Sequence, residues 1–106
     1  METLTEAFSD RLESEVAQFE VNAALWRLEA DRHLHRLRED SAVCVLQPDH
    51  AEAARIALEG IRYEIDRLQA FAREHPGMPE ASVLRLAELG LALETARRRL
   101  ERAFTE

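Results

Sequence analysis

Along the first third of the chain, apolar positions recur in alternating steps of four and three. They are Leu12, Val16, Phe19, Ala23, Trp26 and Ala30, and the same steps continue through His33 and Leu37. This is the seam of an amphipathic helix, because residues spaced three and four apart share one face. Val21, Leu25 and Leu28 widen it into a second stripe. No Gly or Pro interrupts before Pro48, so the pattern predicts one long helix over residues 4–38. Thr3 and Glu6 have the spacing of a capping box at its start, and the acidic first turns suit the helix dipole.

Residues 41–48 break the period. Val43, Cys44, Val45 and Leu46 are apolar, and Pro48 pushes Gln47 into an extended conformation. A buried linker is favoured over a short strand, since a lone strand finds a pairing partner only in a second copy. A second helix follows over residues 50–74, opened by the capping-box spacing of Asp49 and Glu52. Its stripe is Ala54, Leu58, Ile61, Ile65, Leu68 and Ala72, with Phe71 beside it, and Arg62 and Asp66 on its other face are spaced to pair. The turn His75-Pro76-Gly77-Met78-Pro79 ends it, and a third helix covers residues 80–104. The third seam is Val83, Leu86, Gly90, Leu93, Ala96 or Arg97, Leu100 and Phe104.

The predicted fold is therefore all-α: a single-domain three-helix bundle with a long first helix, in which helices 2 and 3 form an antiparallel hairpin. Each hairpin helix is about 38 Å long and the first about 52 Å, at about 1.5 Å per residue. The first must break, near Asn22, or overhang, and an overhanging apolar stripe calls for a second chain. The third helix points the same way. Leu84, Leu86, Leu89, Leu91 and Leu93 surround it, and a helix that is apolar all round needs cover on more than one side. Gly60 and Gly90 sit inside helices, where Gly costs about 1 kcal/mol relative to Ala. They are read as close-packing positions that nearly face each other across the hairpin.

Charge narrows the function classes. The chain has 106 residues and a net charge of −7, with all 14 basic residues Arg and no Lys. An acidic chain disfavours nucleic acid and anionic membranes as main partners. The absence of lysine excludes Schiff-base and P-loop lysine chemistry. The Arg-only, Ala/Leu/Glu-rich composition fits translation from a high-GC, bacterial genome. One Cys excludes an internal disulfide and a paired-cysteine zinc site. No signal-peptide or membrane-span pattern appears, so the expected compartment is the cytoplasm.

Candidate chemistry is sparse, and no cofactor or metal is expected. His33 and His35 are two apart and do not face each other on a helix. Asp31, His35 and Glu39 do share a face, without the recurring Glu-x-x-His pairs of a di-iron bundle. Histidine phosphotransfer modules carry His-x-Leu-Lys-Gly. The segments starting at His33 and His35 lack its glycine, and the surrounding four-helix pattern is one helix short. Cys44 sits among apolar neighbours that make a thiol inert. His50 and His75 lie near helix ends and are read as solvated. The carboxylate spacing of helical nucleotide pyrophosphatases is absent, and the run Arg97-Arg98-Arg99 reads as helix-end capping rather than a phosphate site.

One local likeness concerns Glu64-Ile-Asp-Arg-Leu68, the His75–Glu80 turn and Leu84-x-Leu86-Ala-Glu-Leu89. This third of the chain resembles the helical hairpin preceding the DNA-binding part of some HigA-type antitoxins. No helix-turn-helix follows it here, so the resemblance implies a hairpin and no function.

The expected function is a non-catalytic, small acidic regulator that binds and sequesters a partner protein, in the manner of an anti-activator, antitoxin or secretion chaperone. Its partner is another protein, a basic one being what the acidic surface would steer toward, and the chain itself is a homodimer. Phe19, Trp26, Leu84 and Leu91 are the expected contact residues, since large apolar groups dominate interface energies. The alternatives are a phosphotransfer or small-ligand bundle using His33 or His35, and a dimeric DNA-associated regulator using Arg27, Arg32, Arg36 and Arg38.

Overall fold

The computed structural model describes the backbone of residues 4–105 and the side chains of residues 10–104. Three helices make up the fold: α1 (Leu4–Ala42), α2 (Pro48–Glu74) and α3 (Glu80–Thr105), with no strand among the described residues. Each packs on the other two. One hydrophobic cluster draws on all three, with Val16 from α1, Ile61 from α2, and Leu93 and Leu100 from α3 fully buried. The predicted α1 seam is the buried face, joined by Leu34, with Trp26 partly covered.

α1 does not break at Asn22. It runs unbroken for 39 residues, about 58 Å at about 1.5 Å per residue. The amide of Asn22 is used elsewhere: its Nδ2 donates to Glu64 Oε1 on α2 at 3.0 Å. No Gly or Pro interrupts this stretch, and the side chain finds a partner without bending the backbone. The Thr3–Glu6 capping box lies outside the described residues.

The α1–α2 connection is a linker, but an exposed one. Val43, Cys44, Val45 and Leu46 all face solvent, contrary to the burial expected of four apolar residues. The reason is the turn geometry. Cys44 adopts the left-handed conformation (φ 57°), its N–H donates to Ser41 O, and the Val45 N–H donates to Asp40 O. This is a Schellman motif with Cys44 at the position usually held by Gly. It stops α1 and turns the chain at once, leaving no depth for burial. α2 then begins at Pro48 rather than at an Asp49–Glu52 box. Pro suits a first helical position because its missing N–H would be unpaired anyway. The Asp40 carboxylate, itself buried, accepts from the Gln47 N–H at 3.2 Å and from His50 Nδ1 at 2.9 Å. His50 is therefore a structural partner, not a solvated one.

Contacts between α2 and α3 pair Arg55 with Phe104, Arg62 with Glu101, and Leu68 with Gly90. Arg62 thus reaches across to α3 and does not pair with Asp66. Between α1 and α3, Arg85 bonds both Glu13 and Glu20, and Arg99 bonds Asp31 at 3.2 Å. Among the predicted seam residues of α2 and α3, Ala72 and Val83 are exposed and Phe104 is only half-buried. Gly60 and Gly90 do not face each other. Gly60 meets the Trp26 ring, while a Cβ at Gly90 would make only ordinary contact with Leu68 at 3.9 Å.

Candidate functional site

The four expected contact residues separate into two kinds. Phe19 is core: its ring is buried, tilted against Phe71 at a centroid distance of 5.4 Å, with the Arg67 guanidinium 5.4 Å from its ring centroid. Only a small edge of it is open, in a hollow shared with Phe71, Arg67 and His75, because the seam that carries it turns inward. Trp26 is partly buried. Its indole lies on the α2 backbone where Gly60 has no side chain, and a Cβ there would stand 2.7 Å from Cζ2. Leu84 and Leu91 are surface residues, 57% and 70% exposed. α3 buries Leu86, Leu93 and Leu100 on one side, and Leu84 and Leu91 stand one above the other on the side left over.

A second uncovered face lies over α1 and α2. Trp26 floors a groove of about 590 Å³ whose walls are Asn22, Leu25, Leu28, Glu29, Tyr63 and Glu64. Val21, Leu25, Leu28 and Tyr63 around it are all exposed. The sequence pattern marked Val21, Leu25 and Leu28 as a second stripe but gave no sign that Tyr63 would join them. Tyr63 lies off the buried stripe of α2, and only the placement of α2 beside α1 brings it there.

The polar groups are held in structural pairs. Glu64 is buried and accepts from Asn22 and from Arg67 Nη1 at 3.2 Å. Arg97 bonds Glu94 and Glu101, and the hydrogen bond from Arg62, with that from Arg97, holds the Glu101 carboxyl below the usual range. Arg97 and Arg99 are thus held in ion pairs on different sides of α3, and Arg98 between them is exposed.

His33 is 5% exposed and its Nδ1 has no hydrogen-bond partner, the one such buried side-chain atom among the described residues. Burial pulls its pKa below the ordinary imidazole value. Glu29, 3.4 Å from Nε2, opposes this, and Arg32 and Arg36 reinforce it. His35 is exposed and pairs with Glu39 at 2.9 Å, and Asp31 is taken by Arg99. The Asp31, His35 and Glu39 face is therefore divided between two ion pairs. No cluster of three metal-binding side chains occurs among the described residues. His75 is not simply solvated: its Nδ1–H donates to Phe71 O at 2.9 Å and its ring packs tilted against that of Phe71. Cys44 is exposed, so the apolar surroundings expected for its thiol do not form. No described helix is long and apolar enough to cross a membrane.

Comparison with families of known proteins, with curated proteins and with solved structures finds no match to this chain.

Proposed function

We propose that this chain is a non-catalytic protein-binding module: a small, acidic, cytoplasmic regulator that captures and sequesters an amphipathic helix of a basic partner protein. The observation that carries the reading is the pair Leu84 and Leu91. Both are large and apolar, they are aligned on one face of α3, and neither packs into the core. Exposed apolar groups at helical spacing are what a partner helix buries. The net charge of −7 favours encounter with a positively charged surface. The chain is read as a homodimer, with α2 and α3 as an antiparallel hairpin behind the α3 face.

Leu91→Asp tests this. The variant keeps its helical circular dichroism and its stability to within about 0.5 kcal/mol, as surface substitutions do. It fails to retain the protein that the native chain draws from an extract of the source cells. Equal retention by both forms defeats the reading. So does global unfolding of the variant, which would make Leu91 a core residue.

A further inference from the structure

We propose that the α1–α2 face is covered by a second copy of this chain, packed antiparallel along α1 with the two-fold axis near Leu25. The inference deepens the homodimer reading above and rests on it. It leaves the Leu84–Leu91 face free.

α1 carries two seams on opposite sides. The inner one fills the core. The outer one runs Arg11, Ser14, Gln18, Val21, Leu25, Leu28, Arg32, His35 and Glu39, again in alternating steps of three and four, and every member is exposed. This is heptad spacing with an apolar centre, Val21, Leu25 and Leu28, and polar ends. Tyr63 of α2 flanks the centre, where Leu28 is 67% and Tyr63 66% exposed, and the Trp26 groove lies between them. A protruding leucine from another helix has a hole to enter.

Area supports a stable association. A protein of 12.2 kDa ordinarily exposes about 6,000 Å². This chain exposes 7406 Å² and measures 63 × 21 × 16 Å. Removing about 800 Å² from each copy, the size of a standard specific interface, brings the exposed area back towards the ordinary value.

Charge selects the direction of the second copy. Residues 4–23 carry Glu6, Asp10, Glu13, Glu15 and Glu20 against the single Arg11. Residues 24–42 hold Arg27, Arg32, Arg36 and Arg38 with His33 and His35, balanced by four carboxylates. An antiparallel copy sets the acidic half against a half whose charges balance, which avoids setting the acidic half against itself. Gln18 and Arg32 lie equally far from Leu25 on either side, as do Arg11 and Glu39, and Glu15 and His35. Each therefore comes opposite the other member of its pair. A parallel copy would set Asp10 and Glu15, which flank the outer seam, against their own copies. α1 thus meets its own reverse with Arg11 and Glu39 brought together twice, in the reciprocal manner of an isologous interface.

Solution mass by light scattering, over a dilution series, provides the test. The native chain is expected at twice 12.2 kDa in the micromolar range. Leu25→Asp is expected at one chain's mass with unchanged circular dichroism, its dissociation constant raised on the order of a hundredfold or more by the carboxylate placed in an apolar contact. A native monomer overturns the dimer reading and this inference with it. A native dimer that survives Leu25→Asp but is broken by Leu91→Asp leaves dimerisation standing and overturns this face. Direction is read by oxidising a mixture of chains carrying Gln18→Cys and chains carrying Arg32→Cys, both with Cys44→Ser. Mixed disulfides supporting the antiparallel copy should dominate. Disulfides joining like chains overturn it.

Discussion

Three residues decide more than their size suggests. Gly60 exists for Trp26. In an exposed helix Gly→Ala gains about 1 kcal/mol, but here the added Cβ would overlap the indole. Gly60→Ala is therefore expected to lower stability by about 1–3 kcal/mol, the usual cost of overpacking. In a Trp26→Ala background the same change should stabilise. Urea denaturation of the four forms checks both signs, and a stabilising Gly60→Ala in the native background would contradict the packing. Cys44 holds a left-handed φ that costs a side-chain-bearing residue about 1–2 kcal/mol. Cys44→Gly should recover about 0.5–1 kcal/mol, less than the full penalty because glycine also loosens the unfolded chain. A loss of stability would show that the thiol makes contacts worth more than the strain.

His33 gives the fold a pH dependence whose sign follows from its burial. Its folded-state pKa lies below the ordinary value of 6.5, so the unfolded chain binds the proton more readily. Stability is full above pH 6.5 and falls as the pH drops from there towards the folded-state pKa, by at most about 1.4 kcal/mol per unit for one proton. His33→Leu should flatten this stretch of the stability curve and remove an unpaired buried nitrogen. An unchanged slope in the variant would place the proton uptake elsewhere.

At the scale of elements, the periodicity was enough to find all three helices. The inner seam of α1 and the Leu86–Leu93–Leu100 side of α3 were legible because burial needs only spacing. What spacing cannot state is which of several apolar stripes turns inward. Leu84 and Leu93 are equivalent letters, and only the positions of α1 and α2 separate them. Phe19 looked like a contact residue for the same reason and is core. The ends of helices were less legible. α1 runs on to Ala42 because a Schellman turn, with no glycine to announce it, follows there. α2 starts at Pro48 because the proline itself is the signal. The leucines left outside α3 set the expectation for Leu91→Asp: capture is lost while helix content and dimer mass are kept.

At the scale of the molecule, long-range ion pairs tie the helices along their length. Arg85 reaches α1 from one end of α3 and Arg99 from the other, while Arg62 joins α2 to Glu101. None of these was legible, because each depends on two helices lying side by side. The result is a slender bundle whose exposed apolar side chains include two separate helical faces, one beside Trp26 and one on α3. Two separate faces suit a protein that pairs with itself on one and holds a partner on the other. The measurement that bears most directly on this is photo-crosslinking in the source cells, with a benzophenone amino acid placed at position 91 and, as a control, at the exposed Glu59. We expect one discrete adduct, heavier than a doubled chain, at position 91 and not at position 59. No adduct at position 91, or the same pattern at both sites, would contradict the claim that the α3 face holds a partner protein.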